Sequence, residues 1–341
     1  MKVTFLIGNG FDISMGLKTS YRDFKDWYCD QPCDDATIIA FKKHIKDDML
    51  TNGEYWSDFE KGLGQYTTEF TLETVQDFIK CYNDARTKLL EYIRLEEARI
   101  DSETINQELQ GFVNGLSAYY SELRPKEKIQ IENIYPTGMN DNIEINFITY
   151  NYTSVLDKYV SKYGKNAIHT WRASGIDRRM FMNRIIHIHG TMTEYPIFGV
   201  NDETQIANQE LLKNQQFRSI MIKSESINEI SVLWYDDAEQ MIMNSNIICL
   251  YGMSMGITDA RWFSSLMKWL KSSQNHFLID YCYNKNPSNM ISINRWSELK
   301  DEERKKLASY SKYTETELTS IIPRIFIIEN TKKVFVRKKE E

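Results

Sequence analysis

Long apolar runs, paired cysteines and surplus positive charge are all missing from this sequence, and each absence removes a class of protein. None of its 341 residues falls in an apolar stretch long enough for a membrane span. The apolar run behind Lys2 stops at Gly8, too soon for a signal peptide. The five cysteines are odd in number and scattered, and Cys29 and Cys33 form a C-x3-C without a second pair downstream. That pattern points to free thiols in a reducing cytoplasm, not to a disulfide framework or a zinc site. A net charge of -6 argues against a protein whose main task is gripping nucleic acid. The basic run Lys332–Lys339 reads as a solvated tail. No internal repeat or low-complexity segment is visible, and the Asn151-Tyr152-Thr153 sequon carries no meaning in a cytoplasmic chain.

What is present is a globular composition, 42% apolar and 13% aromatic, with length for one large domain or two modest ones. Short runs rich in β-branched and aromatic residues recur at Val3–Ile7, Ile143–Ile148, Ile185–Ile188, Ile247–Tyr251, Phe277–Tyr281 and Arg324–Ile328. Most are nearly continuous, as expected of parallel strands covered on both faces. Between the first two, Trp56, Phe59, Leu63, Tyr66 and Phe70 keep helical spacing, as do Ile105, Leu109, Phe112, Leu116, Tyr120 and Leu123. The pattern predicts an open, mostly parallel α/β sheet of Rossmann-like type interrupted by a large α-helical insertion. Residues 1–34 and 140–341 form the sheet domain on this reading, and 35–139 the insertion or lid. Ser20 followed by Asp23 predicts a helix start, and Thr258-Asp259 predicts an N-cap with an acidic first turn. Arg124–Asn142, with Pro125, Pro136 and Gly138, reads as a linker.

Four predicted strands run into polar or glycine-bearing turns: Gly8-Asn9-Gly10, Thr149-Tyr150-Asn151, His189-Gly190 and Gly252-Met253-Ser254. Ligands of open parallel sheets bind beyond the carboxyl ends of the strands, so the four turns together point to one site. Gly8 permits a tight turn, and Gly10 lets backbone N–H groups approach an anion. Ile13 occupies the place of a third glycine, so no dehydrogenase fingerprint is present. His187 and His189, two apart on a strand, are able to share a metal, although no partner motif for one is evident, and no metal is assigned. Asn151 has an alternative reading as an Asx turn. Gly252-Met253-Ser254-Met255-Gly256 matches a nucleophile elbow, with His276 the sole downstream base and Asp259 and Asp280 the nearby acids.

Gly8-Asn9-Gly10-Phe11-Asp12, with Gly16–Phe24 just after it, resembles the opening of the AbiH family of bacteriophage abortive-infection proteins. Further matches follow in order at Trp56–Glu60, Asn151–Thr153, His187–Gly190, Phe198–Asp202 and Tyr251–Met255 with Asp259. More remotely, the succession of glycine loop, T-x-N, H-G and G-x-S is similar to the sirtuin-like NAD-binding fold of antiphage NAD-cleaving effectors. The resemblance implies that Gly8, Asn9 and Gly10 cradle a pyrophosphate, Asn151 and His189 are catalytic, and Gly252 and Ser254 hold the adenosine ribose. Phe11, Asp12, Tyr21, Thr149 and Asp259 join the same binding site by their motifs. Thr153 stands where sirtuins carry an acid, and the paired zinc cysteines of deacylases are absent, which turns the expectation from deacylation to NAD hydrolysis. NAD is then substrate or ligand, with no prosthetic group. A nucleotide sensor without turnover and a serine hydrolase centred on Ser254 stand as alternatives. The expected partners are NAD or a related nucleotide, a phage-derived trigger or defence-system protein, and a second copy of the chain through the aromatic helical region; neither membrane nor nucleic acid is expected.

Overall fold

The computed structural model describes residues 1–51, 58–230, 233–283 and 293–337. Among these, seven strands build one sheet: β1 (Lys2–Ile7), β2 (Ile143–Thr149), β3 (His169–Ala173), β4 (Ile176–His187), β5 (Ile247–Tyr251), β6 (Phe277–Cys282) and β7 (Ile325–Glu329). Their spatial order is β3-β4-β2-β1-β5-β6-β7. Only the β3–β4 hairpin is antiparallel; the other five pairings are parallel. Counted among themselves, the six parallel strands lie 3-2-1-4-5-6, so the winding reverses between β1 and β5. In open parallel sheets, a crevice at that reversal is where ligands bind.

The apolar runs place the central strands well, but β3 and the first nine residues of β4 escape sequence analysis. The cause is exposure. His169–Ala173 is an edge strand with no fully buried residue, so it never needed a continuous apolar run.

Alternate residues of β1 feed two cores. Val3, Phe5 and Ile7 pack on one side with Phe112 and Leu116 of the helix Ser102–Ser117. Leu6 packs on the other with Ile248, Leu250 and the tryptophans Trp262 and Trp269 of the helix Ala260–Ser272. A third core lies off the sheet, where Phe24, Phe59, Phe78, Phe198 and Phe217 meet. It joins the helices Tyr21–Asp30, Phe59–Tyr66 and Val75–Glu97 to chain from residues 198–222. The long helical region therefore serves two cores: Val75–Glu97 belongs to the off-sheet cluster, whereas Ser102–Ser117 covers the sheet.

Three local expectations need correction. Arg124–Asn142 is not all linker, because Pro125 opens the helix Pro125–Ile134 at a position that needs no N–H, and Glu127 accepts from the Arg124 N–H at 3.0 Å. The C-terminal basic run is not simply a solvated tail. Val334 and Phe335 are buried, Phe335 against the rings of Phe5, Phe11 and Phe112, and Arg337 donates to the Met15 carbonyl at 2.9 Å. Asp259 occupies the N-cap before Ala260–Ser272 but makes no capping bond, its carboxylate being engaged elsewhere. Ser20, in contrast, does cap Tyr21–Asp30 by accepting from the Asp23 N–H at 3.2 Å. No helix among the described residues is long and apolar enough to cross a membrane.

Candidate functional site

A cleft of about 550 Å³ opens at the carboxyl ends of β1, β2, β4, β5 and β6. Such a volume suits a small organic ligand. All four turns singled out in the sequence contribute to its wall.

The glycines have a different task from the one their spacing suggested. Gly8 N–H donates to the Tyr251 carbonyl and Gly10 N–H to the Gly252 carbonyl, each at 2.9 Å. A Cβ on Gly10 would lie 2.4 Å from the Gly252 Cα, and Gly252 itself has a φ of +66°. The turns after β1 and β5 therefore lock backbone against backbone, and these two N–H groups of the β1 turn are spent on carbonyls at the end of β5, not offered to an anion. Asn9 is spent similarly: its amide donates to the Thr19 carbonyl at 2.7 Å and its oxygen accepts from the Thr19 hydroxyl. A pyrophosphate cradle made of the Gly8 and Gly10 N–H groups is thus corrected to a glycine-to-glycine seam, with Met253 Sδ packed against Gly8.

Beside the seam stands the first polar group. Asp12 is buried, with Oδ2 accepting from the Thr153 hydroxyl at 2.8 Å. Burial pushes its carboxyl up to about 7, against the pull of Thr153 and Asn151. Asn151 follows β2, its own N–H donating to Thr149 Oγ1 at 3.1 Å. Its carbonyl lies 3.1 Å from His187 Nδ1, and His187 Nε2 lies 2.9 Å from Asp157 Oδ2. Burial alone would lower His187, but the Asp157 carboxylate outweighs it and holds the imidazole above its ordinary value. His187 is consequently a brace under the Asn151 backbone.

His189 heads the second group. It is buried between the rings of Tyr150 and Tyr152, with Nε2 3.0 Å from Asp259 Oδ1 but without hydrogen-bond alignment. Burial first, and then the neighbouring Lys223 cation, hold it below its ordinary value, so the ring is neutral near pH 7. Lys223 is nearly inaccessible and sits 3.0 Å from both Glu60 Oε2 and Asp259 Oδ1, with a further bond to the Thr258 carbonyl. Glu60 in turn accepts from the Gly199 N–H at 3.1 Å. Burial would raise Asp259, yet Lys223 and His189 prevail and keep it well below the carboxylate range. Glu60 moves the other way, raised by burial and by its acidic neighbours. The two histidines face different carboxylates, so the shared-metal reading finds no support in their geometry.

Most of the predicted residues meet here. Gly8, Asn9, Gly10, Asp12, Tyr21, Asn151, His189, Gly252, Ser254 and Asp259 all line the cleft. Phe11 does not: it is fully buried in the sheet-face core against Phe112 and Tyr159. Thr149 is also buried, supporting Asn151 from behind. The serine-hydrolase geometry fails. Ser254 follows the end of β5, while His276 precedes β6 at the opposite edge of the sheet, one strand length or on the order of 15 Å away. There His276 stacks on Trp269 and bonds its carbonyl at 2.7 Å, and Asp259 is committed to Lys223 and His189. Glu60 stands inside a motif matched by resemblance, Tyr150 within one of the four turns, and Asp280 entered only as an acid near Ser254; the ionic role of Glu60 and the Lys223 that completes it escaped sequence analysis. Lys223 lies in no motif, and Asp280 hides within an apolar run. Trp56 and Ser57 lie outside the described residues.

Five buried polar atoms on the wall of this cleft lack an aligned hydrogen bond among the described residues: Asp12 Oδ1 and Asn151 Nδ2, whose side chains attract each other, His189 Nε2, which faces Asp259 Oδ1, and Tyr150 OH and Asp280 Oδ2. Buried polar atoms are normally satisfied, and a convergence of unsatisfied ones marks a place where something else supplies the bonds. Fold and site define an α/β protein with a polar cleft at the carboxyl edge of a mostly parallel sheet. The chain belongs to the AbiH family of bacteriophage abortive-infection proteins, whose model matches residues 4–281. No curated protein matches it. The family motifs converge physically: Glu60, Gly199, His189 and Asp259 come from four of them and meet around Lys223.

Proposed function

We propose that this chain acts in abortive infection by binding NAD in the cleft and hydrolysing the nicotinamide–ribose bond. The observation that carries the proposal is the set of unpartnered polar atoms aimed at one cleft, with an amide donor and a neutral imidazole among them. The 3-2-1-4-5-6 strand order, which dinucleotide-binding Rossmann-like sheets share, and the similarity of the motifs to sirtuin-like enzymes favour NAD as the ligand. Breaking this bond places positive charge on the sugar as neutral nicotinamide leaves with the bonding electrons. Water then forms the new bond to the sugar carbon and gives up a proton. Asn151 Nδ2 orients the nicotinamide amide or the water, and neutral His189 accepts the proton, its new charge stabilised by Asp259. The products are ADP-ribose, nicotinamide and one proton.

Nicotinamide release from NAD tests the reading. Asn151→Ala and His189→Ala should each abolish release while thermal unfolding stays cooperative; turnover surviving in both folded variants would overturn the roles. A second reading, nucleotide sensing without turnover, is favoured by the Glu60–Lys223–Asp259 cluster, which ties the off-sheet helices to the cleft. Binding without nicotinamide release would select it.

A further inference from the structure

Asp12, Tyr150, Asn151 and His189 account for four of the five unpartnered atoms, and all four lie on the β1, β2 and β4 side of the glycine seam. The fifth is elsewhere. Asp280 sits near the carboxyl end of β6, 4% exposed, with Oδ2 unpartnered among the described residues. It lines the same cleft beside Tyr281, Cys282, Glu303 and Lys306. Nothing in the proposed cleavage uses it.

From the geometry we infer that Asp280 accepts the hydroxyl hydrogens of the ligand's second ribose, and so selects a dinucleotide with an unmodified diol over one carrying a phosphate there. The inference rests on the dinucleotide reading above and deepens it. Asn151 follows β2 and Asp280 lies on β6, three strand spacings or about 14 Å across the order β2-β1-β5-β6. Asp280 is level with Ile148 in register, so Asn151 also stands up to three residues further along, and the two backbones are roughly 14–17 Å apart. That is more than a mononucleotide bridges and calls for an extended dinucleotide. Between them lies the seam of Gly8, Gly10 and Gly252, three residues without side chains, edged by the flexible Met253 side chain whose Sδ lies against Gly8. An ionised carboxylate is an acceptor only, so it pairs with the donors of a diol and repels a phosphate. Burial, with Glu303 adding to it against the pull of Lys306, pushes the Asp280 carboxyl up to about 7, so the discrimination belongs to the ionised form and grows as pH rises above that value. An unpaired acid is held in a buried place at a cost to stability, as a group waiting for a ligand would be.

Calorimetric binding of ADP-ribose and of its 2′-phosphate to the full chain tests this without requiring cleavage. Wild type should bind ADP-ribose at least tenfold more tightly than the phosphorylated form. Asp280→Asn keeps the shape and removes the charge; it should shrink that ratio about tenfold and unfold at the same or a higher temperature than wild type. Asp280→Ala should weaken ADP-ribose itself by about tenfold. Equal wild-type binding of both ligands, or a ratio unchanged in Asp280→Asn, overturns the role of Asp280 and leaves the cleavage reading standing. Absence of binding by wild type overturns both. The predicted ratio without nicotinamide release would leave Asp280 in its role and remove cleavage alone, and the wild-type ratio decides even where neither variant folds.

Discussion

Replacing Lys223 by Met probes the electrostatics on which His189 depends. The ammonium lies 3.0 Å from two carboxylates, and both Lys223 and Glu60 side chains are 5% exposed, so solvent screens the cluster very little. Methionine fills similar space but leaves Glu60 and Asp259 buried without their cation. Removing one partner of a buried ion pair costs about 3–5 kcal/mol, against a total stability of roughly 5–15 kcal/mol. At about 2–4 °C per kcal/mol in chains of 150–250 residues, and less in a longer one, the midpoint should fall on the order of 5–15 °C. The pH dependence has a definite sign. Lys223 is raised, so its contribution is complete below the ordinary lysine range and lost only at high pH. Asp259 is lowered, so its contribution is present above the ordinary carboxylate range and lost as pH falls through its depressed value. Both are therefore at full strength near pH 7. Without Lys223, protonation of Glu60 and His189 on acidification relieves the uncompensated charge. The deficit measured by thermal unfolding should then be larger at pH 7.5 than at pH 5.5. A loss below about 1 kcal/mol, or one independent of pH, would refute the idea that this lysine holds the cluster together.

Two further substitutions test other parts of the site. Gly10→Ala puts a methyl 2.4 Å from the Gly252 Cα, so the two loops must part; a loss of about 1–3 kcal/mol and of ADP-ribose binding is expected, and wild-type values for both would show the seam to be dispensable. Asp12 is raised to about 7, so the folded chain binds a proton there that the unfolded chain has released, and stability falls as pH rises from about 4 to 7. Asp12→Asn retains an acceptor for Thr153 and should flatten that slope in urea titrations taken at several pH values; an unaltered slope would remove Asp12 as its source.

What was legible in the sequence follows from what burial requires. Strands covered on both faces must be apolar throughout, so the central strands of the sheet stood out, while edge strand β3, whose residues all keep some exposure, had no such signature. Turns at strand ends were equally visible, because Gly8, Gly10 and Gly252 meet no other residue's tolerance at that backbone contact. Their purpose was not visible. Spacing alone cannot distinguish a glycine that admits an anion from one that admits another glycine, since both demand the same missing Cβ. The ionic cluster was hidden for a different reason. Glu60 and Lys223 are 163 residues apart, and each in isolation looks like an ordinary surface charge. Only tertiary packing reveals that one buried lysine joins the off-sheet helices to the acid beside His189. The same packing makes the cleft and the helical cluster one electrostatic unit: a ligand that protonates or displaces His189 must alter the charge balance at Asp259, and through Lys223 that change reaches Glu60 and the Phe59–Tyr66 helix. Residues distant in sequence are thereby bound to answer to the same ligand.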